Sequence, residues 1–179
     1  MTDSYAGIGS RKTPDAILKT FAEIGTAFEE LGFILRSGGA LGADTAFESG
    51  LNLEESKEIY LPWELFNQHP SDRWPATPEA HEIARHFHPA WERCNHVARA
   101  FHARNSHQVL GQNCNDPVNF VICWTFDGNG GGGTGQAIRI ANHWNIPVID
   151  FGKDPKQAWQ DVNQFIDAYD MCNQLEKVE

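Results

Sequence analysis

Leu35-Arg36-Ser37-Gly38-Gly39-Ala40-Leu41-Gly42-Ala43-Asp44-Thr45-Ala46-Phe47 is the stretch that decides how this chain folds. Phe33-Ile34-Leu35 leads into it as a short buried strand and Ala43 to Gly50 leaves it as a helix, so Gly38, Gly39 and Gly42 lie in a strand-to-helix turn. The first backbone N–H groups of such a helix lack intrahelical partners, and the helix dipole adds positive potential. An anion can be held there without any obligatory basic side chain. Arg36 and Ser37 add a guanidinium fork and a hydroxyl at the mouth of the turn.

The same design recurs twice. Tyr5-Ala6-Gly7-Ile8-Gly9-Ser10-Arg11 places glycines after an apolar strand near the N-terminus, and Gly128-Asn129-Gly130-Gly131-Gly132-Gly133-Thr134-Gly135 follows the apolar run Val118 to Trp124. Three turns that each join a strand end to a helix start converge on the carboxyl edge of a parallel sheet, the usual ligand crevice of such folds. The fold expected is α/β, a Rossmann-like parallel sheet with helices on both faces, forming a single domain over residues 1–179.

The remaining elements fit that plan. Thr13-Pro14-Asp15 reads as N-cap, first helical position and acidic first turn; Leu18, Phe21, Ile24, Phe28 and Leu31 form one apolar helix face, and Gly32 ends it. Lys57 to Pro62 reads as a third strand, followed by an irregular aromatic insertion over about 63–78, with Trp63 and Trp74 as lid or cover. Pro78 to Phe87 reads as a helix, His88-Pro89 as a break, and Ala90 to about Leu110 as a longer helix. Thr134 to Asn142 is a helix with a glycine-packed start, Ile146 to Asp150 a last core strand, and Asp154-Pro155 opens a terminal helix carrying Trp159, Val162, Ile166 and Tyr169.

The chain has 179 residues, 41% hydrophobic and 21% charged, enough for one substantial core. A net charge of −10 argues against a mainly electrostatic grip on phosphate backbones, so nucleic acid is disfavoured as a partner. Cys94, Cys114, Cys123 and Cys172 show no CxxC pairing, and neither a signal peptide nor a long apolar span is present, so a reduced, cytoplasmic location is expected and no membrane partner. His81 and His86 lack helical i, i+4 spacing and no HExxH occurs, so no metal is expected.

The candidate ligand-binding residues are Gly9, Ser10 and Arg11 in the first turn, and Arg36, Ser37, Gly38, Gly39, Ala40, Gly42 and Asp44 in the second. Gly131, Gly132, Gly133, Thr134, Gly135 and Gln136 belong to the third. Arg104-Asn105-Ser106-His107-Gln108 is a polar cluster inside the long helix, readable as a solvated face or as a rim where Arg104 meets a phosphate and Asn105 or Gln108 a ribose or base edge.

Together, Gly7-Ile8-Gly9-Ser10-Arg11, Arg36-Ser37-Gly38-Gly39-Ala40 and Gly131-Gly132-Gly133-Thr134-Gly135-Gln136-Ala137 resemble the SLOG superfamily, the Rossmann-like group that contains the DNA-processing DprA proteins and the LOG phosphoribohydrolases. The resemblance covers most of the chain and looks closest to small DprA-like proteins common in phage genomes. It implies a nucleotide or nucleotide-derived ligand, such as an ADP-ribose-like or cyclic nucleotide signal; no resident cofactor is expected. The LOG loop ends in Gly-Gly-x-Gly-Thr-x-x-Glu, but Ala137 stands where the catalytic glutamate belongs. The expected function is therefore binding, with sequestration of a host immune messenger as its phage form. LOG-type hydrolysis, with Asp44 or Glu48 as substitute acid, and DprA-like single-stranded DNA binding are the alternatives. A homodimer or higher homo-oligomer is expected from the behaviour of related folds.

Overall fold

The computed structural model describes residues 3–176; the side chains of residue 170 and of residues 172–179 lie outside that description, Cys172 among them. Five strands, β1 (Ser4–Gly7), β2 (Ile34–Ser37), β3 (Lys57–Ile59), β4 (Phe120–Cys123) and β5 (Val148–Asp150), form one sheet in the order β3-β2-β1-β4-β5. Every pairing is parallel. The helices are α1 (Asp15–Glu30), α2 (Ala43–Ser49), α3 (Pro78–Phe87), α4 (His96–Leu110), α5 (Thr134–His143) and α6 (Pro155–Glu176). The expected α/β sheet is thus present, and none of the described helices is long and apolar enough to cross a membrane.

Strand alternation sends successive side chains to opposite faces. Tyr5, Leu35, Phe120 and Ile122 meet α1, α2 and α6 in an aromatic core where Phe21 stacks on Phe47 at 4.1 Å. Ala6, Val121 and Cys123 face the other way, onto α3, α4 and α5. Both faces are covered, as a parallel sheet requires.

Three local expectations are corrected. Pro14, not Thr13, occupies the N-cap of α1, while the Thr13 hydroxyl donates back to the Ser10 carbonyl at 2.7 Å. The single helix expected from Ala90 is a 3-10 turn over Trp91–Arg93 and then α4, because Asn95 caps α4 by accepting from the Ala98 N–H at 2.9 Å. The aromatic insertion is pinned: Asn67 donates to the Gly39 carbonyl at 2.9 Å, and Trp63 packs edge-on to Phe66 and Phe101, each at 5.2 Å.

The polar cluster of α4 is not solvated, since Arg104 to Gln108 are all buried between the sheet and α3. Its side chains are tied to other elements. Ser106 donates to the Ala80 carbonyl at 3.1 Å, and His107 accepts from the Thr77 N–H at Nε2 while facing the Gly111 carbonyl at Nδ1. That pairing assigns the proton to Nδ1.

Candidate functional site

In the order β3-β2-β1-β4-β5 the chain winds one way from β1 to β3 and the other way from β4 to β5, so the topological switch lies between β1 and β4. Ligands of open α/β sheets enter at the carboxyl ends of strands at such a point. Here the first and third glycine turns emerge side by side. The Ile8 N–H donates to the Ile122 carbonyl at 3.1 Å and the Ser10 N–H to the Trp124 carbonyl at 3.3 Å, so the two backbones stay paired beyond the strands.

One carboxylate ties the first two turns together. Asp44, 2% exposed at the start of α2, accepts from the Gly9 N–H at 3.3 Å, the Ala40 N–H at 3.4 Å and the Arg104 Nη1 at 3.3 Å. Burial pushes its carboxyl above the usual range, and the Arg104 guanidinium and the two N–H groups oppose that shift. Glycines supply the close approaches. A Cβ at Gly9 would lie 2.6 Å from that of Ala43, and a Cβ at Gly38 would overlap the Arg104 guanidinium and stand 2.7 Å from Gln108 Nε2. Gly38 therefore makes room for Arg104 rather than for a ligand. Arg104 Nε and Gln108 Nε2 are buried there without a partner among the described residues.

The third turn is built on Thr125, whose N–H and hydroxyl both donate to the Asp150 carboxylate, at 2.9 and 2.5 Å. Asn105 donates to the Gly133 carbonyl at 2.9 Å and anchors the far end of the loop to α4. Gly135 admits no side chain, because a Cβ there would overlap the Gly130 carbonyl. Gly131, Gly132 and Gly133 are exposed, and their N–H groups make no backbone hydrogen bond among the described residues. Thr134 begins α5 just beyond them.

Two exposed features stand at this edge. Arg11 and Lys12 are exposed in the first turn. Phe126, which the sequence reading passed over, is 84% exposed at the start of the third turn and meets Trp124 edge-on at 6.3 Å. An aromatic ring among Thr, Asp, Asn and glycines has no core face to serve, and that was the available signal.

Other candidates lie elsewhere. Arg36 projects from β2 onto the α4 face, where its guanidinium donates to Glu58 at 2.7 Å and to both the carbonyl and the carboxylate of Asp116. It is not at the mouth of the second turn, because its strand pairs Arg36 beside Glu58. The Ser37 hydroxyl donates to the Gly7 carbonyl at 2.7 Å, holding β1 to β2. Gln136 is buried, donating to the Ala84 carbonyl at 2.9 Å and accepting from Arg139 at 2.7 Å. Glu48 meets Lys57 at 3.1 Å and His69 at 2.9 Å, beside β3. Surface depressions lie away from the turns: a groove of about 690 Å³ between α3 and the end of α5, and another of about 680 Å³ beside Arg36 and Asp116 at the opposite sheet edge.

No protein-family model matches the chain, and no curated protein does. Among solved structures it is similar to DNA processing protein A from Helicobacter pylori, a protein described for its single-stranded DNA binding mode, with a TM-score of 0.50 and 16% identity. The alignment covers 83% of this chain and 65% of that one, so this chain spans somewhat less than two thirds of that structure. The likeness supports a DprA-like, Rossmann-type fold. It also corrects the expectation that nucleic acid is disfavoured as a partner, since a protein of this fold binds single-stranded DNA. A whole-chain charge of −10 is a sum, whereas stacking faces and backbone N–H groups act locally.

Proposed function

We propose that the crevice between the ends of β1 and β4 binds a phosphorylated nucleotide unit presented by single-stranded DNA. The observation that carries this reading is Phe126, 84% exposed beside the exposed glycines of the third turn. A base stacks on the ring, a phosphate takes the N–H groups of Gly131 to Gly133, and Arg11 and Lys12 meet the backbone charge. The fold likeness supports the choice of DNA strand. Asp44 serves in this reading as the tie between turns, with three donors on its carboxylate.

A second reading keeps the same pocket for a free nucleotide-derived molecule, an ADP-ribose-like or cyclic nucleotide signal held without turnover. The exposed N–H groups of Gly131 to Gly133 favour it, because they suffice for the few phosphates of one compact ligand. Fluorescence anisotropy of a labelled oligothymidylate, competed with unlabelled ADP-ribose and cyclic nucleotides, separates the two. Saturable, salt-weakened oligonucleotide binding supports the first reading; displacement or direct binding of a small nucleotide with no oligonucleotide binding supports the second. Loss of neither in Phe126→Ala places the site elsewhere.

A further inference from the structure

The break between α3 and α4 gathers three side chains used by neither reading above. His88 ends α3, Cys94 follows the 3-10 turn, and His102 stands in the second turn of α4. One ligand atom from each lies within 4.8 Å of the others. Cys94 Sγ is 3.7 Å from His88 Nδ1 and 3.8 Å from Nε2, and the two imidazoles lie 4.2 Å apart between ring centroids. His102 Nδ1 is buried with no partner among the described residues.

With Zn–S near 2.3 Å and Zn–N near 2.0–2.1 Å, tetrahedral angles put sulfur and nitrogen about 3.6 Å apart. One His88 nitrogen serves as ligand, and its 3.7–3.8 Å separation from Cys94 Sγ is close to that edge, while the full set, spread over up to 4.8 Å, closes by about an ångström around the ion. All three residues are half-buried, which leaves a path for the ion. We propose that His88, Cys94 and His102 bind a divalent zinc-like cation through three protein ligands, stapling α3 to α4 and leaving a fourth position open.

Thiolate and imidazole are the donor types that zinc prefers. The cations facing the two imidazoles are the guanidiniums of Arg139 and Arg104. The two guanidiniums are themselves engaged, Arg139 by the Phe87 carbonyl and Gln136, and Arg104 by Asp44. Metal uptake exchanges weak contacts for coordinate bonds. The Ala90 N–H leaves His88 Nδ1, now at 3.2 Å, and the thiol releases its proton and its 3.6 Å contact with the Ala90 carbonyl.

The test uses the untagged, chelator-treated 179-residue chain titrated with Zn²⁺ by calorimetry and with Co²⁺ by absorption. The proposal expects one ion per chain, a thiolate-to-cobalt charge-transfer band, and a raised melting temperature with Zn²⁺. Cys94→Ser and His102→Ala should each weaken binding by at least about tenfold, as loss of a direct ligand must. Cys94→Ser should also remove the charge-transfer band while keeping the metal-free melting temperature. Absence of one-to-one binding in the unsubstituted protein overturns the site, as does unchanged affinity in a folded form of either variant.

Discussion

Replacing Gly38 by Ala tests the packing that holds the first two turns in place. Gly38 needs no positive φ, so an alanine backbone fits, and the only difficulty is the space its methyl needs. That methyl overlaps the Arg104 guanidinium and sits 2.7 Å from Gln108 Nε2, both deeply buried. Arg104 has to withdraw, and its 3.3 Å bond to Asp44 does not survive the withdrawal. Overpacking alone costs about 1–3 kcal/mol. Breaking a buried ion pair from one side costs about 3–5 kcal/mol. Asp44 keeps the Gly9 and Ala40 N–H groups and can take up a proton, so the lower part of these ranges applies. The expected loss is about 4 kcal/mol, or about 8–16 °C in melting temperature for a domain this size. Urea titration reads it as a lowered midpoint with an unchanged slope. In an Arg104→Met background the same substitution should cost at least about 1 kcal/mol less, because guanidinium and ion pair are already gone. An equal cost in both backgrounds, or a loss below about 1 kcal/mol in the parent, would refute the argument.

Three further outcomes follow from the geometry. Arg36→Gln should lower stability by about 2 kcal/mol, from the loss of charge-assisted bonds to Glu58 and Asp116, while nucleotide affinity changes by less than about twofold. Phe126→Ala should weaken oligonucleotide binding by about 5- to 150-fold, the equivalent of about 1–3 kcal/mol of stacking, and leave the melting temperature unmoved because the ring is 84% exposed. Stability should fall on acidification below the ordinary histidine value of 6.5, since His107 and His102 are both held lower in the fold. The unfolded chain then binds more protons, and the part due to His102 is complete below about 4, where it titrates in the folded state, while Glu29, held below its usual value by hydrogen bonds from Asn52 and Leu53, adds a further loss there. Urea midpoints measured across that range check the slope, and His107→Gln should flatten it.

The three glycine turns were legible because strand end, glycine run and helix start are all local signals, and they fall at the ends of β1, β2 and β4 as read. The destination of Arg36 was not, because it depends on which face of β2 meets α4 and on Glu58 arriving beside it from β3. The polar cluster of α4 was ambiguous for a related reason. Its burial comes from α3 folding over it, and its partners, Ala80, Gly133 and Asp44, are each more than twenty residues away. Gly38 illustrates the same limit: the need for glycine was readable, but the atom filling its space belongs to Arg104. Phe126 was legible and was passed over in favour of the glycines that follow it.

The most direct test of the central claim is the affinity of the full chain for a labelled oligothymidylate, measured by anisotropy at several salt concentrations alongside Phe126→Ala and Arg11→Ala. The account predicts saturable binding that weakens with salt, a large loss in Phe126→Ala, and for Arg11→Ala a salt dependence shallower by about 0.7 in the log–log slope. No saturable binding, or binding indifferent to both substitutions, would contradict it.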